Sequence, residues 1–325
     1  MINTAEAVSN YHPDKICDIV ADFVLHSYLS KDPNSRVAVE VLGGHGEITI
    51  MGEVTSKARI ALKWRVKRFL RNSGVDIKKI RIKLVKQSPQ ISKGVDKGGA
   101  GDQGIMIGYA CNENSKFLPQ EMYLAKEIVG LFSHTYCKDA KCQVTIENGK
   151  VTHIVLSALN ETKEHLKEVV DFMVRKDKIK LAKGCKLHLN PAGEWTIGGF
   201  DADCGTVGRK IVNDQYGTRV PVGGGAFSGK DPSKVDRSGA YMARFIALDL
   251  LKKYKAKEVL VKLAYVIGEV QPVMKVAVID GKERKIRYDC RPNTIIKKFH
   301  LKHLNYVALS LLGHFGNSNL PWEKV

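Results

Sequence analysis

Paired cysteines are absent from this sequence. Its seven cysteines are scattered over 325 residues, and no CxxC pair occurs among them. Disulfide frameworks are typical of short, cysteine-dense chains, and structural zinc sites need cysteines or histidines at metal-ligand spacing, so the sequence predicts neither kind of site. A reducing cytoplasm is therefore the expected compartment.

Long apolar runs are also absent. No stretch approaches the roughly 20 apolar residues that span a bilayer. The chain starts Met-Ile-Asn-Thr-Ala-Glu, without a basic segment followed by an apolar one. We expect neither a signal peptide nor a membrane-spanning helix, and no membrane partner.

Acidic and aromatic residues are few. Lys and Arg number 52 against 34 Asp and Glu, which gives a formal net charge of +18, and aromatic residues make up only 7%. So large a positive charge predicts an anionic partner: nucleic acid, an anionic membrane or a polyphosphate substrate. Basic stretches occur at 57–71, 78–86 and 252–257, but no RNA-binding signature interleaves aromatics with them. Nucleic-acid binding therefore remains a minor alternative as the main function.

Apolar spacing predicts three successive units that each mix helices and strands. The first has helix 13–29, strands 36–42 and 47–53, helix 56–72 and strand 77–87. The second has strand 105–111, helix 119–132, strands 142–147 and 151–157, helix 161–175 and strand 185–190. The third has helix 237–252, strands 257–267 and 271–279 and helix 303–312. Hairpins in this order favour an α+β fold over a doubly wound parallel sheet.

The unit boundaries are predicted from loop composition. A glycine-rich stretch at 88–104 follows the first unit. The predicted domains are 1–90, 99–197 and 198–325, with segments exchanged between them in space. A Ser-Lys pair precedes a helix in each unit, at 56–57, 115–116 and 233–234. This recurrence indicates three similar modules.

The most distinctive motif is the glycine run 223–236, Gly-Gly-Gly-Ala-Phe-Ser-Gly-Lys-Asp-Pro-Ser-Lys-Val-Asp. Its glycines let the backbone approach a ligand, and its lysines and aspartates suit phosphates and a metal. The pattern up to Lys230 begins like a Walker A loop, but Asp231 stands where that loop has a Ser or Thr for magnesium. The run therefore predicts a polyphosphate and metal site outside the P-loop class.

Four shorter motifs add charge at glycines or at a helix start. They are His12-Pro13-Asp14-Lys15, Gly99-Ala100-Gly101-Asp102-Gln103-Gly104, Asp139-Ala140-Lys141, and Asp203-Cys204-Gly205 with Gly208-Arg209-Lys210. The first lies at a helix N-terminus, where free N–H groups favour phosphate oxygens. Each of the others, taken alone, is more consistent with a turn or a solvated face.

In this order, and with the ending Gly313-His314-Phe315-Gly316 to Pro321-Trp322-Glu323-Lys324, the motifs resemble the S-adenosylmethionine synthetase family from end to end. The resemblance implies an α+β fold of three similar α/β modules in a pseudo-threefold arrangement. It also implies a transferase of one-carbon metabolism, which makes S-adenosylmethionine, phosphate and pyrophosphate from ATP, L-methionine and water. Such enzymes act as a homodimer or homotetramer with the site between two subunits. A triphosphatase or an inactive partner subunit of the same fold is the alternative.

The resemblance implies a role for each matching residue. Catalytic roles fall to His12, Lys141, Arg209 and Lys230. ATP would be bound by His12, Asp139, Lys141, Trp195, Asp203, Arg209, Lys210, Ala226 and Lys230. Methionine would be bound by Glu53, Gln87, Asp102, Asp203 and Lys234. Two Mg²⁺ ions would be held by Asp14 and Asp236, and a K⁺ ion by Glu40.

Several positions depart from the family pattern. Glu194 and Trp195 stand where members usually have Arg-Phe, Tyr11 replaces a glycine, and Phe200 replaces a proline. The loop 88–99 is shorter than the usual gating loop. Trp195 can still stack on adenine, but Glu194 places an anion near phosphates. We therefore expect weaker substrate closure and a raised KM for ATP, with the chemistry retained.

Overall fold

The computed structural model describes residues 1–87, 98–136, 138–176 and 178–325. The strands are β1 Ile2–Val8, β2 Arg36–Gly44, β3 Glu47–Thr55, β4 Lys79–Val85, β5 Gly104–Cys111, β6 Ala140–Glu147, β7 Lys150–Ala158, β8 Leu181–Leu189, β9 Gly205–Thr206, β10 Glu258–Tyr265, β11 Met274–Ile279 and β12 Lys282–Lys285. The α-helices are α1 Pro13–Leu29, α2 Leu62–Asn72, α3 Gln120–Leu131, α4 Lys163–Arg175, α5 Ile211–Asp214, α6 Val235–Tyr254, α7 Pro292–Lys298 and α8 Tyr306–Leu312. A π-helical turn, Phe132–Tyr136, continues α3.

The strands form three four-stranded sheets with the same internal order. Sheet one is β9-β2-β3-β4, sheet two is β1-β6-β7-β8, and sheet three is β5-β10-β11-β12. In each, a helix leads into a central antiparallel hairpin and packs on its first strand: α1 on β2, α3 on β6 and α6 on β10. The fourth strand runs parallel to its neighbour in sheets one and two and antiparallel in sheet three. The predicted α+β fold with pseudo-threefold modules is confirmed.

The first strand of every sheet comes from a distant part of the chain. β1 pairs with β6 of the central segment, β5 pairs with β10 of the C-terminal segment, and β9 pairs with β2. Each sheet therefore combines two segments of the sequence. The domain limits 1–90, 99–197 and 198–325 stay predictions, and residues 88–97, which include the first limit, lie outside the described residues.

Two hydrophobic cores support these layers. The larger joins sheets one and three through α1 and α6, with Val20, Val39, Ile246 and Val261 at most 1% exposed. The smaller lies between sheet two and its helices α3 and α4. In both cores the buried residues are mostly aliphatic, as the apolar spacing of the sequence predicts. No helix among the described residues is long and apolar enough to cross a bilayer.

Most predicted elements are confirmed, and the differences have local causes. Helix 13–29 matches α1 at both ends, but the predicted helix 56–72 begins only at Leu62. Before it, the Ser56 hydroxyl accepts from the backbone N–H of Ala58 and donates to the carboxylate of Asp32, which holds a turn in place of helix. The short strand β9 and the N-terminal β1 were not predicted, because their partners lie far away in the sequence. Strand β12 pairs with the adjacent β11, but its four residues are all charged and exposed, so no apolar alternation marks it.

Candidate active site

The start of α1 positions the first site residues. His12 is the N-cap, and its Nδ1 accepts a hydrogen bond of 3.2 Å from the backbone N–H of Asp14. The pKa of His12 is lowered to about 4, mainly by burial and then by the charges of Lys210 and Lys141, against the opposing charges of Asp14 and Asp203. The ring is therefore neutral at neutral pH. Because Nδ1 accepts, the ring proton belongs on Nε2.

The Asp14 carboxylate joins the helix start to the Gly205–Lys210 segment. It accepts from the backbone N–H of Thr206 at 3.0 Å and from Lys210 Nζ at 2.5 Å, and Arg209 Nε lies 3.7 Å away. Burial acts to raise the pKa of Asp14, but the hydrogen bonds from Lys210 and Thr206 outweigh it and hold the pKa below its usual value. Two predicted phosphate cations and one predicted metal ligand thus meet here.

The close approach of this segment to α1 requires glycine. A Cβ atom at Gly205 would lie 2.1 Å from the carbonyl carbon of Pro13, so a side chain would push the two segments apart. The Gly205 carbonyl also accepts from the Cys17 thiol at 3.1 Å. Gly205 therefore sets the distance between Asp14 and the cations that follow it in the chain.

The glycine run forms a second cation and carboxylate cluster at the start of α6. Asp236 accepts from the backbone N–H of Gly225 at 2.6 Å and from Lys230 Nζ at 2.9 Å. Lys230 bridges to Ala38 of β2, so it lies beside Glu40. Partial desolvation raises the pKa of Glu40, and the charge of Lys230 opposes that rise. The predicted metal ligand Asp236 and the predicted catalytic Lys230 are in direct contact.

Asp231 anchors the glycine run to sheet one. It is 2% exposed, and its backbone N–H donates to the carbonyl of Val37 at 2.9 Å. Its carboxylate accepts from the Val37 N–H at 2.7 Å, from the Ser233 N–H at 2.9 Å and from Lys234 Nζ at 2.5 Å. The residue that breaks the Walker A pattern thus holds Lys234, the predicted methionine ligand.

A third group of predicted residues lines the Gly198 to Asp203 segment. Asp139 is buried and accepts from the backbone N–H of Gly199 at 2.9 Å, and burial raises its pKa. Trp195 Nε1 donates to Asn190 at 3.3 Å, and its ring lies over Gly198, where a Cβ would be 3.0 Å away. Asp203 is close enough for its charge to oppose ionisation of Asp139. These residues therefore adjoin the His12 cluster.

Two predicted site residues are more exposed. Lys141 leaves 51% of its side chain exposed and pairs with Glu6 at 2.8 Å, and Arg209 is 59% exposed. Glu194 is also exposed. Ala226, by contrast, packs closely on Gly208: a Cβ atom added to Gly208 would lie 2.7 Å from the Ala226 Cβ. The cations on this edge can therefore move toward an anionic ligand at little cost in buried packing.

The predicted methionine residues are spread over two sheets. Glu53 of β3 and Lys230 lie on either side of Ala38, on the face of sheet one that points away from α1. Gln87 follows β4, with its Oε1 buried and without a partner among the described residues. Asp102 is exposed just before β5 of sheet three. Within the described ranges, no hydrogen bond or ion pair joins Glu53, Gln87 or Asp102 to the clusters above.

The structure also reveals residues that the sequence analysis missed. Asp22 and Arg237 form a fully buried ion pair of 2.6 Å, and Asp22 also accepts from the Gly229 N–H at 2.9 Å. Lys15, part of the first motif, is buried against Asp18 and Asp214 instead of facing the site. The sequence does contain a sign of these buried charges, because charged residues interrupt the apolar faces of α1 and α6.

Comparison with known proteins identifies the family. Three domain descriptions of S-adenosylmethionine synthetase match this chain: the N-terminal domain at residues 1–97, the central domain at 97–195 and the C-terminal domain at 197–324. The chain belongs to the S-adenosylmethionine synthetase family. This confirms the resemblance and the predicted enzyme class, methionine adenosyltransferase.

Individual relatives agree over the whole length. The S-adenosylmethionine synthase of Mycoplasma mycoides is 37% identical over 367 aligned residues, which cover 99% of this chain and 94% of the relative. That of Petrotoga mobilis is 37% identical, with 100% and 96% covered. A solved structure described as an unusual S-adenosylmethionine synthetase from Campylobacter jejuni has a TM-score of 0.87 at 30% identity, and covers 99% of this chain and 96% of its own.

Proposed function

We propose that this member of the S-adenosylmethionine synthetase family binds the triphosphate of ATP between the two cation clusters and methionine beside Lys234. The observation that carries the proposal is the convergence of neutral His12, Asp14, Arg209 and Lys210 at the start of α1. A helix N-terminus with adjoining cations is suited to phosphate oxygens.

The reaction needs leaving-group stabilisation more than proton transfer. When the methionine sulfur attacks the ribose 5′ carbon, the bond to the triphosphate breaks and the sulfur becomes a sulfonium without losing a proton. His12, with its proton on Nε2, donates to a triphosphate oxygen near that bond. Arg209, Lys210, Lys141 and Lys230 neutralise the charge that develops on the leaving group. Asp139, Trp195, Asp203 and Ala226 are assigned to the nucleoside end of the site.

Magnesium fits Asp14 and Asp236. Each carboxylate supplies hard oxygen ligands beside phosphate-binding cations, and no group of three or more metal-binding side chains occurs among the described residues. Mg²⁺ commonly takes one or two carboxylates and completes its shell with substrate phosphates and water. Two Mg²⁺ ions would shield the charge of the triphosphate, and Glu40 would hold K⁺ at the exposed face of sheet one. Lys210 and Lys230, which pair with these carboxylates here, would be available to the phosphates when the carboxylates hold metal.

Methionine recognition and self-association are proposed together. Glu53, Gln87, Asp102 and Asp203 would bind the amino acid with Lys234, although one chain leaves them apart. The exposed face of sheet one carries Leu42 and Met51, 57% and 48% exposed, next to Glu40 and Glu53. Such an apolar face supports a homodimer or homotetramer whose site is completed by a second subunit. The free thiols of the described cysteines support a cytoplasmic enzyme.

The discriminating experiment supplies purified protein with ATP, methionine, Mg²⁺ and K⁺ and measures the sulfonium product by mass spectrometry. We expect S-adenosylmethionine together with phosphate and pyrophosphate. Phosphate release without the sulfonium would indicate a triphosphatase, and neither product would indicate an inactive partner subunit. Omitting Mg²⁺ or K⁺ in turn tests each ion, and light scattering of the active protein tests the assembly.

A further inference from the structure

The outward side of α2 carries an unusual concentration of positive charge. Segment 57–71 contains seven Lys or Arg and no Asp or Glu. On α2 itself, Lys63, Lys67, Arg68 and Arg71 are all exposed on one side. None of the four has a carboxylate within ion-pair distance among the described residues. These cations stand outside the site, and they account for part of a +18 charge that the site residues leave unexplained.

An exposed tryptophan lies among these cations. Trp64 is 61% exposed, and the Arg68 guanidinium carbon lies 5.3 Å from its ring centroid. The other aromatic of the helix, Phe69, stacks on Phe23 at 4.3 Å and faces the core. The sequence alone did not distinguish these two rings. The structure therefore presents one aromatic surface and four cations together to solvent.

The charged surface continues beyond α2. The backbone N–H groups of Lys57 and Asn34 both donate to Asp32, and Asn34 accepts from Lys302 Nζ at 2.6 Å. Lys302 lines a cavity of about 370 Å³ with Lys297, His300 and His303. Lys57, Arg59, Lys63, Trp64, Lys67, Arg68, Arg71, Lys297 and Lys302 together form what is here called the basic band.

We infer that the basic band binds single-stranded nucleic acid, with cations on the phosphodiester backbone and a base stacked on Trp64. Cationic grooves that also offer an aromatic ring are the usual means of binding single strands without sequence preference. Insertion into a membrane does not fit, because Leu62, Val66 and Leu70, the apolar side of α2, are buried in the protein core. An acidic peptide would use the charges but leave the tryptophan without a role.

Helix α4 provides a matched control within the same chain. It is also amphipathic, with exposed Lys163, Lys167 and Arg175 and an aromatic, Phe172, that is 41% exposed. Acidic residues interrupt its charges, and Lys167 pairs with Asp171 at 2.8 Å. Reversing three charges on either helix changes the net charge of the protein equally, so only a localised site distinguishes them.

The test measures fluorescence anisotropy of labelled 20-mer single-stranded RNA and DNA against full-length protein over a salt series. Lys63→Glu/Lys67→Glu/Arg71→Glu should weaken binding at least tenfold and lower the salt slope by about 2, since each single-strand phosphate contact contributes about 0.7. Lys163→Glu/Lys167→Glu/Arg175→Glu should leave both within twofold. Trp64→Ala should weaken binding about fivefold or more, with Trp64→Phe retaining most of it. Formation of S-adenosylmethionine by each variant checks its fold.

Binding of RNA, of DNA or of both in this pattern supports the inference. Equal losses of affinity in the two triple variants would show that binding depends only on the net charge of the protein, and would overturn the inference. No binding of either strand near 150 mM salt, or binding to anionic vesicles in place of nucleic acid, would also overturn it.

Discussion

Two ion pairs in this protein each join an aspartate of α1 to a cation far along the chain, but they differ in how much water reaches them. Asp22 and Arg237 are both 0% exposed, whereas Lys210, paired with Asp14, leaves 19% of its side chain exposed and adjoins Arg209, which is 59% exposed. The buried pair ties α1 to the glycine run and cannot open without leaving a charge in the core. In the second pair only the cation is partly exposed, so Lys210 can exchange the Asp14 carboxylate for a phosphate. Exposure of the cation therefore separates charges that hold the fold from charges that act on substrate.

Breaking the buried pair should have the largest effect. Asp22→Ala leaves the charged Arg237 in the core without a carboxylate partner. It also removes the acceptor of the Gly229 N–H and of the Ser228 hydroxyl. We expect a loss of about 3–5 kcal/mol in unfolding free energy, measured by urea denaturation. Because Asp22 lies outside the site, formation of S-adenosylmethionine should fall only in proportion to the fraction of protein that is folded. A variant of wild-type stability would show that this pair does not hold the fold.

Removing the exposed cation should instead affect catalysis. Lys210→Met should lower kcat about 10²- to 10³-fold, because it removes one of the cations that neutralise the leaving triphosphate. The urea midpoint should fall less than for Asp22→Ala, because buried Asp14 keeps the Thr206 N–H and the nearby Arg209. Steady-state kinetics and denaturation on the same preparation test both statements, and a large stability loss with proportionate activity would erase the contrast with Asp22.

Asp231 lies between these two extremes, since its partner Lys234 is 15% exposed. Asp231→Asn keeps an acceptor oxygen for only one of the two backbone N–H groups, Val37 or Ser233, and removes the charge that holds Lys234. We expect KM for methionine to rise roughly tenfold, with a smaller change in kcat, from the loss of a charged hydrogen bond worth about 1–3 kcal/mol. Ser233→Ala is the control. If KM for ATP rises in its place, the assignment of Lys234 to methionine is wrong.

Buried His314 extends the comparison to pH. Its pKa is lowered to about 3, mainly by burial and also by the charges of Arg237 and Lys15, against the opposing charges of Asp214 and Asp22. The unfolded chain, with a histidine pKa near 6.5, binds this proton first as pH falls. The stabilisation is therefore complete above about pH 6.5 and is lost toward pH 3, by about 1.4 kcal/mol per pH unit. His314→Gln should flatten the fall in stability between pH 6.5 and 5, and an unchanged slope would contradict this origin.

Glu194 should give the smallest effect, since it is an exposed anion. Glu194→Arg should lower KM for ATP a few-fold and leave kcat unchanged, because it adds a cation only to uniform binding of the nucleotide. Glu194→Gln, which removes the anion without adding a cation, should lie between the two. Saturation kinetics in ATP giving the same micromolar KM for all three proteins would rule out the predicted weakening.

The repeated modules show which parts of the fold local sequence could predict. Helix α1 and the hairpins follow from apolar spacing, so both were predicted close to their observed limits. The recurring Ser-Lys pair predicted that α2, α3 and α6 are equivalent helices, and for α2 this is wrong. Helix α2 follows the hairpin of sheet one, whereas α3 and α6 precede the hairpins of their sheets. The helix equivalent to those two is α1, which begins after His12. A local pattern could not identify the equivalent helix before the sheet orders were known.

The site divides in the same way. Motifs identified His12, Asp14, Lys210, Lys230 and Asp236 as a group, and the structure brings them into two clusters. Lys15, three residues after His12, is turned into the core by Asp18 and Asp214, a partner 199 positions away. Spacing within a motif does not show which side chain a distant carboxylate will bind.

The sequence by itself determined the family, the enzyme class and the types of charged group at the site, because these depend on residue identity and local spacing. Tertiary structure alone decided which carboxylate meets which cation, and how much water reaches each pair. It also decided that Asp231 is an anchor, and that Trp64 faces solvent while Phe69 does not. The physical reason is that ion-pair energy and side-chain exposure depend on neighbours brought together from distant segments, and the chemical identity of each residue leaves those neighbours undetermined.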